Sequence, residues 1–297
     1  MASDSPPDLN TVDLVDALLQ GAGTRLRDLF EAQNSKAPQI QWSPSLSDLS
    51  NQLILDFANT CRSFSPDRQP IAEADFHLSD FERHLPWMMV LEVENNGEAF
   101  RYSHYGMEIA KVRGLSMQGK TSADFVGHIG LFFTSCYRAI LQRKEWLLTE
   151  HFAPKKIFAR TWKRLIVPVT NPAGQITRIV VMNVPDNELR AGLEIIPDPV
   201  MVLDADQILR YANTAARRLF DKEQFPSRDL SLFEYSGIDL DINQTPADLV
   251  RSHAVHDKLC LATSNNMLRD FLVTIRGARL WDHDFYVITL RMDIPKG

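Results

Sequence analysis

Ile196-Pro197-Asp198-Pro199-Val200-Met201-Val202-Leu203-Asp204, continuing through Ala205-Asp206-Gln207 into Ile208-Leu209-Arg210-Tyr211-Ala212-Asn213, carries the clearest structural pattern in the chain. Val200–Asp204 is an apolar run that ends in Asp, and Gln207–Tyr211 reads as a second strand after the turn. Two such runs on either side of a short turn read as a β-hairpin. A helical stretch over Ala212–Phe220 follows, and Asn213 at its start can cap it by accepting from an otherwise unpaired early amide. Asp204 and Asp206 fall on the turn, where short polar side chains are expected without any catalytic task.

Outward from this hairpin, the order of elements repeats. After it come a helix over Pro246–Leu259 and strands at Leu268–Arg276 and Asp284–Met292. Upstream, Trp87–Val93 is nearly continuously apolar, and Asn95-Asn96-Gly97 supplies the positive φ angles of a tight turn. Phe100, Tyr102 and His104 then alternate with Arg101 and Ser103, which puts the first three on one face of a strand. A short helix from Met107 ends near Gly114, and helical spacing returns over Ile129–Gln142. Strands at Trp146–Phe152, Ile157–Val169 and Gln175–Asn183 follow. The repeat predicts an α+β protein of two modules, 66–185 and 190–294, each a five-stranded antiparallel sheet with helices on one face.

Ahead of them, residues 1–65 read as a tail and two helices. Val12, Val15, Leu18, Leu19, Leu26, Leu29 and Phe30 recur at helical spacing over 11–33, with Thr11 as a possible cap and Gly21 and Gly23 as breaks. Leu46, Leu49, Leu53, Phe57 and Cys61 form a stripe over 45–64.

A chain of 297 residues has room for two cores. A net charge of -6 argues against broad attraction to nucleic acid or anionic membrane. Lys155, Lys156, Arg160, Lys163 and Arg164 form a local basic cluster, read as the solvated face of a strand. Cys61, Cys136 and Cys260 are far apart and odd in number, which fits a reducing, cytoplasmic setting better than a disulfide framework. The most apolar run, Phe125–Leu141, is interrupted by His128, Tyr137 and Arg138 and predicts no membrane span.

The 196–213 stretch resembles the opening of a PAS domain, where a strand ends in Asp, turns, and continues into a Tyr-Ala-Asn step. The chain departs from the pattern at Gln207, where the family often has Gly. Arg291-Met292-Asp293-Ile294 resembles the end of the last PAS strand. The first half resembles a divergent PAS type of alphaproteobacterial character, through Leu85-Pro86-Trp87, Tyr105-Gly106, Gly114, Gly119-Lys120 and Arg164-Leu165-Ile166-Val167-Pro168-Val169. The resemblance implies ligand binding between the sheet and its helices. It also implies dimerisation through N-terminal helices and a role in signalling rather than catalysis.

Two candidate sites follow. In the first module Trp87, Phe100, Tyr102, His104 and Trp162 are candidates to line a ligand pocket, with Arg101, Arg160 or His104 orienting an anion; the plainer alternative is a packed aromatic core. In the second, His253, His256 and Cys260 stand at i, i+3 and i+7 of the expected 246–259 helix. Haem-binding relatives take an axial His from that helix, so haem is a candidate cofactor, although solvent-facing histidines are the preferred reading. Flavin photochemistry lacks the Asn-Cys-Arg motif it would need, and Cys136 between Phe132 and Ile140 reads as an inert core thiol. No phosphate loop or hydrolase signature is present. The expected protein is therefore a cytoplasmic sensor, homodimeric through its N-terminal helices and acting on a protein partner. A haem or metal sensor, a small α+β pocket enzyme, and a fragment of a larger sensor are the alternatives.

Overall fold

The computed structural model describes residues 11–21, 23–125, 127–154, 157–186, 188–222, 229–240, 242–262 and 268–293. They divide into two compact units, Met1–Ala110 with Ser116–Phe152 and Thr161–Pro185, and Lys111–Leu115 with Ala153–Arg160 and Asp186–Gly297.

The first unit runs α1 (Thr11–Gln20), α2 (Gly23–Glu31), β1 (Gln39–Trp42), α3 (Gln52–Phe64), β2 (Ile71–Ala72), β3 (Met88–Glu94), β4 (Ala99–Tyr105), α4 (Met107–Arg113), α5 (His128–Arg143), β5 (Leu147–Phe152), β6 (Thr161–Thr170) and β7 (Ile176–Pro185). Residues 111–113 of α4 fall in the other unit. Five strands form an antiparallel sheet in the order β5-β6-β7-β3-β4. This sheet is extended by β1 beside β5 and by the two-residue β2 parallel to β6. The strand at 39–42 lies where the sequence pattern shows only a connection between helices. The N-terminal helical pattern itself divides at Gly21, whose φ of 68° only glycine adopts without strain.

Cross-strand partners share a face, so the register sorts the sheet. Met88, Val90, Leu165, Val167, Val180 and Met182 pack under Ile54, Phe57 and Cys61 of α3 and under Phe81. The opposite face carries Met89, Leu91, Ile166 and Val181 and lies under α5. This sheet is therefore covered on both sides, and its central strands are apolar in both phases of the alternation.

The second unit continues α6 (Glu188–Glu194), β8 (Val200–Leu203), β9 (Leu209–Ala212), α7 (Thr214–Leu219), α8 (Leu232–Ser236), α9 (Pro246–Arg251), β10 (Val255–Ala262), β11 (Leu268–Leu280) and β12 (His283–Met292). The antiparallel order is β10-β11-β12-β8-β9. With β1 and β2 set aside, the five antiparallel strands of the first unit, renumbered in chain order, run 3-4-5-1-2, as do the five of the second. Met201, Leu203, Val273, Ile275, Ile288 and Leu290 form one face of its core, with Tyr235 of α8 and Leu249 of α9. Gly277 is required where α9 crosses β11, because a Cβ there would lie 2.1 Å from the Pro246 carbonyl oxygen.

The expected helix over Pro246–Leu259 is corrected. Thr245 caps α9 by accepting from the Asp248 amide, but the helix ends at Arg251. Val255–Ala262 pairs along its full length with β11. In this segment Leu259 and Leu261 turn to the core while His256 and Cys260 are exposed, so a period of two prevails over helical spacing.

The 196–213 hairpin forms as its sequence implies. Asp204 Oδ1 accepts from the amides of Asp206 and Ile208, both at 3.0 Å, and Gln207 takes the left-handed conformation at φ 59°. Asn213 is fully buried: its Oδ1 accepts from the amides of Ala216 and Val200, both at 2.9 Å. Its Nδ2 lies within 3.2 Å of the carbonyls of Leu193, Ile196 and Asp198. One side chain thus fixes the start of α7, the start of β8 and the segment leading into it. Asn213→Ala orphans several of these groups at once and is expected to cost about 3 kcal/mol, read as a lower urea midpoint for the second unit.

Candidate functional site

The alternation that buries both faces of the first sheet also carries polar residues inward. Thr149 of β5 pairs with Arg164 of β6, and Arg164 pairs with Asn183 of β7, giving a polar row across three strands. His151 and Trp162 form the next row on the same face. Thr149, His151, Arg164 and Asn183 are all buried, and Arg164 has no exposed surface.

α5 lies over this row. The Arg164 guanidinium stacks 3.9 Å from the centroid of Phe133 and 5.4 Å from that of Tyr137, and its Nη2 donates to the Tyr137 hydroxyl. The Tyr137 hydroxyl is in turn 3.4 Å from that of Tyr102 on β4. The rest of the row lacks partners. Among the described residues, Arg164 Nε and Nη1, Thr149 Oγ1, His151 Nδ1 and Asn183 Oδ1 are buried without a hydrogen-bond partner. Buried polar atoms are nearly always satisfied, so five on one sheet face mark a place where other groups belong.

Electrostatics agrees with geometry. Burial, helped by the Arg164 charge and by His128 on α5, brings the His151 imidazole down to about 3, so it is neutral near pH 7. Burial pushes the Tyr102 and Tyr137 phenols up and the Cys136 thiol up to about 12, which fits an inert core thiol. Arg210 in the second unit makes the contrast. It too is buried, but it donates to Asp204 Oδ2 at 2.7 Å and to Asp229 Oδ1 at 2.7 Å. No ion pair to Arg164 is present among the described residues.

Three of the sequence-predicted pocket residues, Phe100, Tyr102 and Trp162, share this face. Phe100 packs 5.3 Å from Tyr137, and Trp162 lies opposite His151. His104 does not join them. The register slips at Ser103, so that Leu91 pairs with Tyr102 but Val90 pairs with His104. This bulge carries His104 to the face of Val90, where its Nε2 meets the Leu85 carbonyl at 3.0 Å, and brings Tyr105 alongside Tyr102. Trp87 packs with the α3-side core. Arg101 is exposed and paired with Glu94 at 2.6 Å, and Arg160 is exposed. Arg164, expected on a solvated strand face, is the functional candidate that the sequence reading missed. Its neighbours in both phases, Trp162 and Ile166 on one face and Leu165 and Val167 on the other, are the signal that no face of β6 is solvated.

His253 and His256 are exposed and stand on a loop and an edge strand rather than on one helix. His256 Nδ1 lies 3.2 Å from Thr274 Oγ1. The helical spacing that would have gathered them with Cys260 is absent. Among the described residues no helix is long and apolar enough to cross a membrane.

Residues 187–252 match the PAS domain family model. Similar solved structures include the PAS domain of nitrogen regulation protein NR(II) from Vibrio parahaemolyticus, 20% identical, covering 35% of this chain and 97% of that one at a TM-score of 0.30. The PAS domain of an HTR-like protein from Haloarcula marismortui is 17% identical, with 36% and 95% coverage and a TM-score of 0.26. The LOV protein of Rhodobacter sphaeroides is 15% identical, with 37% and 67% coverage and a TM-score of 0.28. No curated protein matches the chain. The second half of the chain contains a PAS domain. That domain places the protein in sensory and signal-transduction biology.

Because His151 is held neutral in the fold but titrates near 6.5 when unfolded, the unfolded chain binds the extra proton between about pH 6.5 and 3. Stability from this group is therefore complete above pH 6.5 and falls on acidification, by up to about 1.4 kcal/mol per pH unit. Urea midpoints at pH 7.5, 6.5 and 5.5 are expected to fall in that order, with a shallower decline in His151→Gln.

Proposed function

We propose that the chain is a regulatory protein with two tandem PAS modules, 66–185 and 190–294, whose first module binds a small molecule between its sheet and α5. The observation that carries this reading is the row of buried, unpartnered polar atoms on Thr149, His151, Arg164 and Asn183. The reading of the first unit as a divergent PAS module is supported by its five core antiparallel strands, whose order is the same as in the unit that holds the PAS model match. Phe100, Tyr102 and Trp162 are the aromatic residues assigned to this site.

The route of the signal follows from packing within the first unit. α5 closes over the polar row, and α1 lies along α5 with Leu14, Val15, Ala17 and Leu18 buried. Phe30 of α2 meets His128 and Phe132 of α5 edge-on, at 4.9 and 5.3 Å. A ligand that repositions α5 therefore repositions α1 and α2. The proposed output is protein–protein contact, by a cytoplasmic homodimer that uses its N-terminal helices, without catalysis or nucleic-acid binding.

Native mass spectrometry of the freshly purified full chain tests both parts. The expected spectrum shows a dimer with a retained small molecule, released on unfolding. A ligand-free species that stays monomeric at micromolar concentration would overturn the proposal.

A further inference from the structure

We infer that the molecule held by the first unit is a small monocarboxylate, its carboxylate paired with Arg164 beneath α5. This rests on the sensor reading above and names the chemistry of its ligand.

The charge comes first. A fully buried guanidinium that lacks a carboxylate is costly, and proteins ordinarily supply the counter-charge, as Asp204 and Asp229 do for Arg210. For Arg164 the described residues supply only ring faces and a phenol on one side. Nε and Nη1 remain as donors. An anion on that side pairs the charge and satisfies both nitrogens with charge-assisted hydrogen bonds.

The site also limits the anion. Arg164 is the one cation in the row, because His151 is neutral and Thr149 and Asn183 carry no charge. A single positive charge balances a monoanion; a phosphate dianion would keep an unpaired charge in a buried site. Thr149 Oγ1 is positioned on the same row to donate to a carboxylate oxygen. Asn183 Oδ1 is an acceptor and suits a hydroxyl on the ligand. Phe132 and Phe133, 5.9 and 5.3 Å from the His151 ring, together with Trp162, offer apolar surface to the remainder of the molecule.

The register provides a direct test. Asn183 is the cross-strand neighbour of Arg164, so Asn183→Asp places a carboxylate from the chain itself where the ligand's is inferred to lie. Thermal unfolding of the ligand-stripped, full-length wild type is measured with acetate, lactate and benzoate, each against its amide, and with inorganic phosphate, all at constant ionic strength. At least one acid is expected to raise the melting temperature above its amide by about 2 °C or more. Asn183→Asp is expected to melt higher than the unliganded wild type and to lose the difference between acid and amide.

The inference is overturned if every acid behaves as its amide, if phosphate stabilises more than any carboxylate, or if Asn183→Asp lowers the melting temperature and keeps the acid response. A neutral molecule retained in the native spectrum would also overturn it while leaving the sensor reading intact. A ligand-free monomer removes the sensor reading itself.

Discussion

Arg164 sits at the middle of the first sheet, fully buried and without an ion pair among the described residues, and much of the surrounding structure is arranged to hold it there. Burying an unpaired cation costs several kcal/mol after relaxation, about the size of a whole domain's net stability. The cost is offset in part by the faces of Phe133 and Tyr137 and by the Tyr137 hydroxyl. All three contacts come from α5. The helix is therefore tied to the sheet by a polar contact as well as by apolar packing, and α1 and α2 pack on that helix in turn.

The second unit repeats the five-strand order but pairs its buried arginine. Arg210 has two carboxylates, and Asn213 spends both sides of its amide on backbone groups. Nothing in that arrangement asks for a further anion. The two units thus differ in how their buried arginines are paired: Arg210 meets two carboxylates, whereas Arg164 meets ring faces and a phenol.

Much of this was legible in the sequence, and the exceptions have physical causes. The hairpins at 88–105 and 200–212 were readable because turn chemistry is local: Asn95, Asn96 and Gly97 take positive φ, and Asp204 ties its own turn. The strand at 255–262 was not, since its apolar residues fit a helical and an alternating period alike, and only pairing with β11 decides between them. His104 was misplaced by a one-residue bulge, which inverts every later side chain and leaves no local signature. Arg164 was hidden by its basic neighbours. Lys163 reaches Ser50 and Glu150 on the α3 side, whereas Arg164, one residue on, points to the opposite, closed face. The charge run looks uniform until the sheet separates it by parity.

Arg164 is a buried cation whose counter-charge none of the described residues supplies. The most direct test of this is the unfolding free energy of ligand-stripped Arg164→Met, which keeps the length and apolar stem of the side chain. An unpaired cation predicts a variant within about 1 kcal/mol of the wild type or more stable than it. A loss of about 3–5 kcal/mol, the cost of breaking an ion pair already made within the fold, would contradict the account.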